Sequence, residues 1–143
     1  MSRRSSPRRP KRPSLTAASP CPCGLPATYA ECCGRLHTGA TAARTAELLM
    51  RSRYSAFAAQ DATYLLRTWH PDTRPAALDL DAGTRWTGLE ILAATDGSAF
   101  HTTGTVTFRA HYAHQGETGE LHEQSRFVRH GGAWVYLDAV FTN

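Results

Sequence analysis

Four cysteines carry the clearest chemistry in this sequence, and all fall within one stretch, Cys21-Pro22-Cys23-Gly24 followed by Cys32-Cys33-Gly34. A set of four thiolates suits a tetrahedral Zn²⁺ site, and two local pairs enclose one ion with little loop entropy to lose. Cys21, Cys23, Cys32 and Cys33 are therefore the expected ligands of a structural zinc. With four protein ligands no position is left for water or substrate, which argues against catalysis at the metal. A disulfide framework and a redox-active thiol pair are the alternative uses of the same thiols. The first twenty residues are basic and lack the apolar segment of a secretory signal, so the chain is expected in a reducing compartment, the cytoplasm, which favours the metal.

A second group of chemistry-bearing residues lies on a helix expected over 46–60 and capped by Thr45. At 100° per residue Ala46, Leu49, Met50 and Phe57 share an apolar stripe, with Tyr54 at its edge and Arg53 in its middle. An arginine so placed either snorkels past the core edge or is held in a polar pocket by a carboxylate. Arg44 and Arg51 point the other way, as surface arginines do. Asp61 then caps a second helix that ends at Trp69-His70-Pro71, where His70 serves either as a helix cap or as a catalytic group.

From residue 85 the period changes to two. Strands are expected over 85–95, 102–114, 121–130 and 133–142, the last two joined by Gly131-Gly132 in a tight hairpin turn. If His130 opposes Ala133, Phe127 faces Tyr136, Ser125 faces Asp138 and Glu123 faces Val140. One sheet face would then hold two carboxylates, a hydroxyl and aromatics, as a pocket wall does. Arg53, Tyr54, His70, Glu123, Ser125, Tyr136 and Asp138 are the pocket candidates, with Arg53 expected to pair with Glu123 or Asp138. Helices first and strands afterwards place the fold in the α+β class.

The formal net charge of +4 is uneven. Arg3, Arg4, Arg8, Arg9, Lys11 and Arg12 supply six of the sixteen basic residues, so residues 13 to 143 carry ten basic against twelve acidic side chains. Clustered positive charge is what nucleic acid selects, and only this tail offers it, which limits such binding to weak contact through the tail. No apolar run approaches membrane-spanning length, so no membrane role is expected. The expected organisation is a disordered basic tail over 1–19, a zinc knuckle over 20–37 and an α+β domain over 44–143.

The spacing of the cysteines, with Gly24, Tyr29 and Gly34, resembles the SEC-C motif. That resemblance implies a zinc knuckle that engages a protein or ribosomal partner. Met50-Arg51-Ser52-Arg53-Tyr54 with Ala56-Phe57, Asp61 with Tyr64-Leu65, Trp69-His70-Pro71, Glu123 with Ser125-Arg126-Phe127, and Trp134, Tyr136 and Asp138 together resemble the YchJ family of bacterial proteins. This second likeness implies an NTF2-like cone, N-terminal helices packed on a curved antiparallel sheet around a cavity, preceded by the knuckle. Two functions fit: a noncatalytic binding module, or a small-molecule enzyme or receptor using Glu123 or Asp138 as base with Arg53 or His70 orienting the ligand. The absence of a nucleophile elbow, P-loop or metal-hydrolase helix favours the binding module.

Overall fold

The computed structural model describes residues 15–142. Most of the basic tail, residues 1–14, thus lies outside the described residues. Residues 15–19 run beside the cysteine loop, where the carbonyls of Ala17 and Ser19 accept the N–H groups of Ala30 and Tyr29. A single 3₁₀ turn, Tyr29–Glu31, leads into the short helix α1, Cys33–His37.

Helix α2, Ala46–Ala59, begins where Thr45 Oγ1 accepts the Leu48 N–H at 3.1 Å and stops at Gln60, whose φ of 61° no longer continues the spiral. Asp61 Oδ1 then accepts the Tyr64 N–H and starts α3, Ala62–Arg67. Burial on α2 is two-sided. Ala46, Leu49, Met50, Arg53 and Tyr54 are covered, but so are Ser52, Ser55 and Ala56, because the helix is wedged between the sheet and a second layer made of α3 and the cysteine loop.

Four strands follow in sequence order as an antiparallel meander: β1 Thr84–Asp96, β2 Thr103–His114, β3 Glu117–His130 and β4 Ala133–Thr142. Both tight hairpins turn through two residues with positive φ, Gln115-Gly116 and Gly131-Gly132, the backbone that matches the twist of paired strands. The first of these lets β3 start four residues earlier than its alternating pattern announces. At the other end, the Gly97 carbonyl accepts the Ala46 N–H and pins the start of α2. A Cβ on Gly97 would lie 2.8 Å from the Ala46 Cβ, so a side chain there would push the helix away. Val106, Phe108, Ala110, Phe127 and Trp134 form the sheet side of the core against α2.

This geometry corrects the expected NTF2-like cone. The helices do pack on an antiparallel sheet, but that sheet is open: β1 and β4 are its two ends and do not pair with each other. Tight consecutive hairpins keep neighbours in sequence as neighbours in space, and nothing brings the end strands together as a closed or curled sheet requires. The edge of β4 is covered instead by the chain after α3, where Tyr136 exchanges backbone hydrogen bonds with Thr68 and His70, each 2.8 Å long.

Candidate metal centre and adjoining cavity

The cysteine loop folds so that one sulfur from each of Cys21, Cys23, Cys32 and Cys33 meets the other three within 4.8 Å. The Cys23 and Cys32 sulfurs are 3.7 Å apart, and all four thiols are free. Gly24, with φ of 91°, turns the chain back after the first pair, a backbone that a residue with a Cβ resists. Gly34 allows α1 to press against the Tyr29 carbonyl, 2.6 Å from where a Cβ would stand.

Burial and mutual hydrogen bonding divide the thiols. Donation from Cys23 and Cys33 holds the Cys21 thiol far below its ordinary range. The bond to Cys21 pushes Cys33 up, and burial pushes Cys32 up to about 12. The donor set and spacing are competent to hold a metal ion.

This cluster is fastened to the body through α2. Cys21 Sγ lies 3.7 Å from the buried Ser55 Oγ, and Arg51 Nη1 donates to the Cys23 carbonyl at 2.8 Å. His37 bridges Tyr29 Oη at 2.5 Å and the Ser52 carbonyl at 2.8 Å, while Arg67 Nη2 donates to the Leu36 and His37 carbonyls at the end of α1. Arg51 is therefore not the outward surface arginine that its helical angle indicates. Periodicity could not reveal this, because the partner is a loop rather than the sheet.

On the opposite side of α2, Arg53, Tyr54, Glu123, Ser125 and Tyr136 line a cavity of about 260 Å³, walled further by apolar side chains that include Phe57, Trp69, Trp86 and Leu121. His70 and Asp138 lie outside it. His70 Nδ1 accepts the Asp72 N–H at 3.0 Å, and its ring meets that of His130. Asp138 is held by Arg126, Nε to Oδ1 at 2.7 Å and Nη2 to Oδ2 at 2.6 Å.

A shift in register explains Asp138. Phe127 pairs with Tyr136, as the hairpin requires, but Arg126 pairs with Asp138 and Ser125 with Ala139, so Leu137 is an extra residue on β4. A second extra residue, Val140, sets Glu123 opposite Thr142. The first bulge turns Asp138 to the outer face beside Arg126. Arg53 consequently lacks the expected ion pair: among the described residues no carboxylate oxygen lies within 4.0 Å of it. Its Nη1 donates to Leu65 O at 2.7 Å and Thr68 Oγ1 at 2.8 Å, and its charge rests between the rings of Tyr136 and Trp69. Burial pushes its pKa down to about 10, still cationic at neutral pH, and burial lifts Tyr54 and Tyr136 each to about 12. Trp86, which sequence reasoning missed as a cavity wall, precedes a bulge between β1 and β2 that breaks the alternation.

Residues 45–139 match the family profile described as YchJ, middle NTF2-like domain. A UPF0225 protein of Streptomyces coelicolor is 68% identical over 122 residues, covering 85% of this chain and 95% of that protein. The chain belongs to the UPF0225/YchJ family. A UPF0225 protein of Corynebacterium glutamicum is 51% identical over 81% of this chain and 92% of its own length. Among solved structures, a SEC-C motif containing protein from Rhodopseudomonas palustris superposes with a TM-score of 0.73 at 32% identity, covering 83% of this chain and 95% of that one. Another, from Psychrobacter arcticus, gives 0.72 at 31% identity over 85% of this chain and 82% of that one. The chain thus carries a SEC-C-like N-terminal motif, as these two solved SEC-C motif containing proteins do.

Proposed function

We propose that this protein is a noncatalytic binding module in which zinc fixes a knuckle, residues 20–37, on an α+β domain, residues 44–143, for recognition of a protein or ribosomal partner. The observation that carries this reading is the four-sulfur cluster. Tetrahedral zinc with bonds of about 2.3 Å places its sulfurs about 3.8 Å apart, while a disulfide needs about 2.0 Å. The 3.7 Å between Cys23 and Cys32 fits the former. Four thiolates close the coordination sphere, so the metal holds shape and offers no reactive position. Cysteine loop, α1 and α2 then present one rigid surface, since Arg51, His37 and Ser55 tie the loop to the helix.

A chain with this cysteine set, and with no helix long and apolar enough to cross a membrane among its described residues, suits work in the cytoplasm. The basic tail contributes at most weak, salt-sensitive contact with RNA. Co-sedimentation with ribosomes on sucrose gradients tests the reading, using the full chain, Cys32→Ser, and a chain lacking residues 1–13. Association lost with Cys32→Ser and kept without the tail is the expected result. Association lost with the tail and indifferent to Cys32 would overturn the ribosomal role.

A further inference from the structure

Arg53 enters the cavity with only part of its guanidinium committed. Nη1 is satisfied by Leu65 O and Thr68 Oγ1, and the plane is fixed by the Trp69 and Tyr136 rings, whose centroids lie 5.1 and 4.7 Å from the guanidinium carbon. Nε and Nη2 have no acceptor among the described residues. Together they form the edge of a guanidinium that grips a carboxylate through two parallel hydrogen bonds. The residue is 4% exposed and lines the cavity. Glu123 does not complete it: no carboxylate oxygen among the described residues lies within 4.0 Å of the guanidinium, and the Ser125 and Thr142 hydroxyls each hold one of the Glu123 oxygens in place. Glu123 supplies a long-range opposite charge in the same cavity, but the open, preoriented fork itself still lacks the hydrogen-bond acceptors that a buried guanidinium calls for.

We propose that the cavity binds a small apolar monocarboxylate, an aromatic or branched-chain acid, with its carboxylate on Nε and Nη2 of Arg53 and its body against Phe57, Trp86 and Leu121. The volume of about 260 Å³ sets the size, since it lies just under the ~300–1,000 Å³ typical of larger ligands and suits one ring or a short branched chain. Apolar walls disfavour phosphate, whose second charge would be stranded. Glu123 on the same wall repels a second ligand carboxylate, so dicarboxylates are rejected. The site makes no use of the metal and stands or falls apart from the knuckle's role.

The test titrates the full ¹⁵N-labelled chain with benzoate, phenylacetate and isovalerate, and with benzamide and phenylacetamide as uncharged isosteres. The acids should shift the indole N–H signals of Trp69 and Trp86 and leave Trp134, whose Nε1 donates to Arg44 O outside the cavity, unmoved. The amides should bind roughly tenfold more weakly or worse. Arg53→Met should erase that preference, and Arg53→Lys, which keeps charge without the fork, should retain only part of it. If Arg53→Met does not fold, the acid-to-amide ratio of the natural chain decides. Equal binding of acids and amides, or no shift of Trp69 and Trp86 at millimolar acid, overturns the proposal.

Discussion

Cys21 Sγ and Ser55 Oγ lie 3.7 Å apart in a buried contact that joins the cysteine cluster to the middle of α2. The same helix carries Arg53 into the cavity on its other side. Anything that loosens the cluster therefore acts on a helix whose opposite face is the core of the domain.

Removing the metal with a chelator should lower the melting temperature of the whole chain while leaving the sheet folded at room temperature. Far-ultraviolet circular dichroism with and without chelator measures it. A melting curve unchanged by chelation would show that the cluster and α2 are uncoupled.

Arg51→Met removes the bond to the Cys23 carbonyl and leaves that acceptor without its charged donor. The expected loss is roughly 1.5–3 kcal/mol in urea unfolding, the scale of a hydrogen bond to a charged group. A neutral result would place Arg51 back on the surface.

Tyr64 Oη and Ser52 Oγ are 2.7 Å apart in the layer between α2 and α3, and Ser52 also donates to the Leu49 carbonyl. Tyr64→Phe should cost about 1 kcal/mol, since Ser52 then has no phenolic donor. Unfolding titrations of the two chains compare this directly.

Much of this layout was legible in the sequence because it is local. The four cysteines fall in one loop, Thr45 and Asp61 announce two helix starts, and Gly131-Gly132 fixes the β3–β4 turn. What failed depended on long-range geometry. Asp138 follows correctly from strict alternation through Tyr136, and the extra Leu137 defeats that alternation without leaving a glycine or proline to mark it. Arg51 looked outward because a helix wheel assumes one buried face, while α2 has two, the second covering Ser52 and Ser55. The cone failed for a similar reason: strand patterns report pairing and burial, not how far a sheet curls.

Asp138 and Arg53 should consequently behave as independent sites. The double change Arg53→Met with Asp138→Asn is expected to be additive within about 0.5 kcal/mol. Arg126 holds the Asp138 carboxyl below its ordinary value of 3.8, so its contribution is present above that value and disappears as pH falls through the lowered one. Melting temperatures of Asp138→Asn and the natural chain should thus differ by a small constant amount above about pH 5 and converge in strong acid. Coupling between Arg53 and Asp138 would contradict the observed register.

Metal content decides most directly whether the cluster is a zinc-held knuckle. The full chain, purified under reducing conditions, should contain one zinc per molecule by mass spectrometry of the native protein, with four thiols released to a thiol reagent only after chelation. Cys23→Ser and Cys33→Ser should each lose the metal. A metal-free chain with two disulfides, or with four thiols that react freely before chelation, would contradict the account.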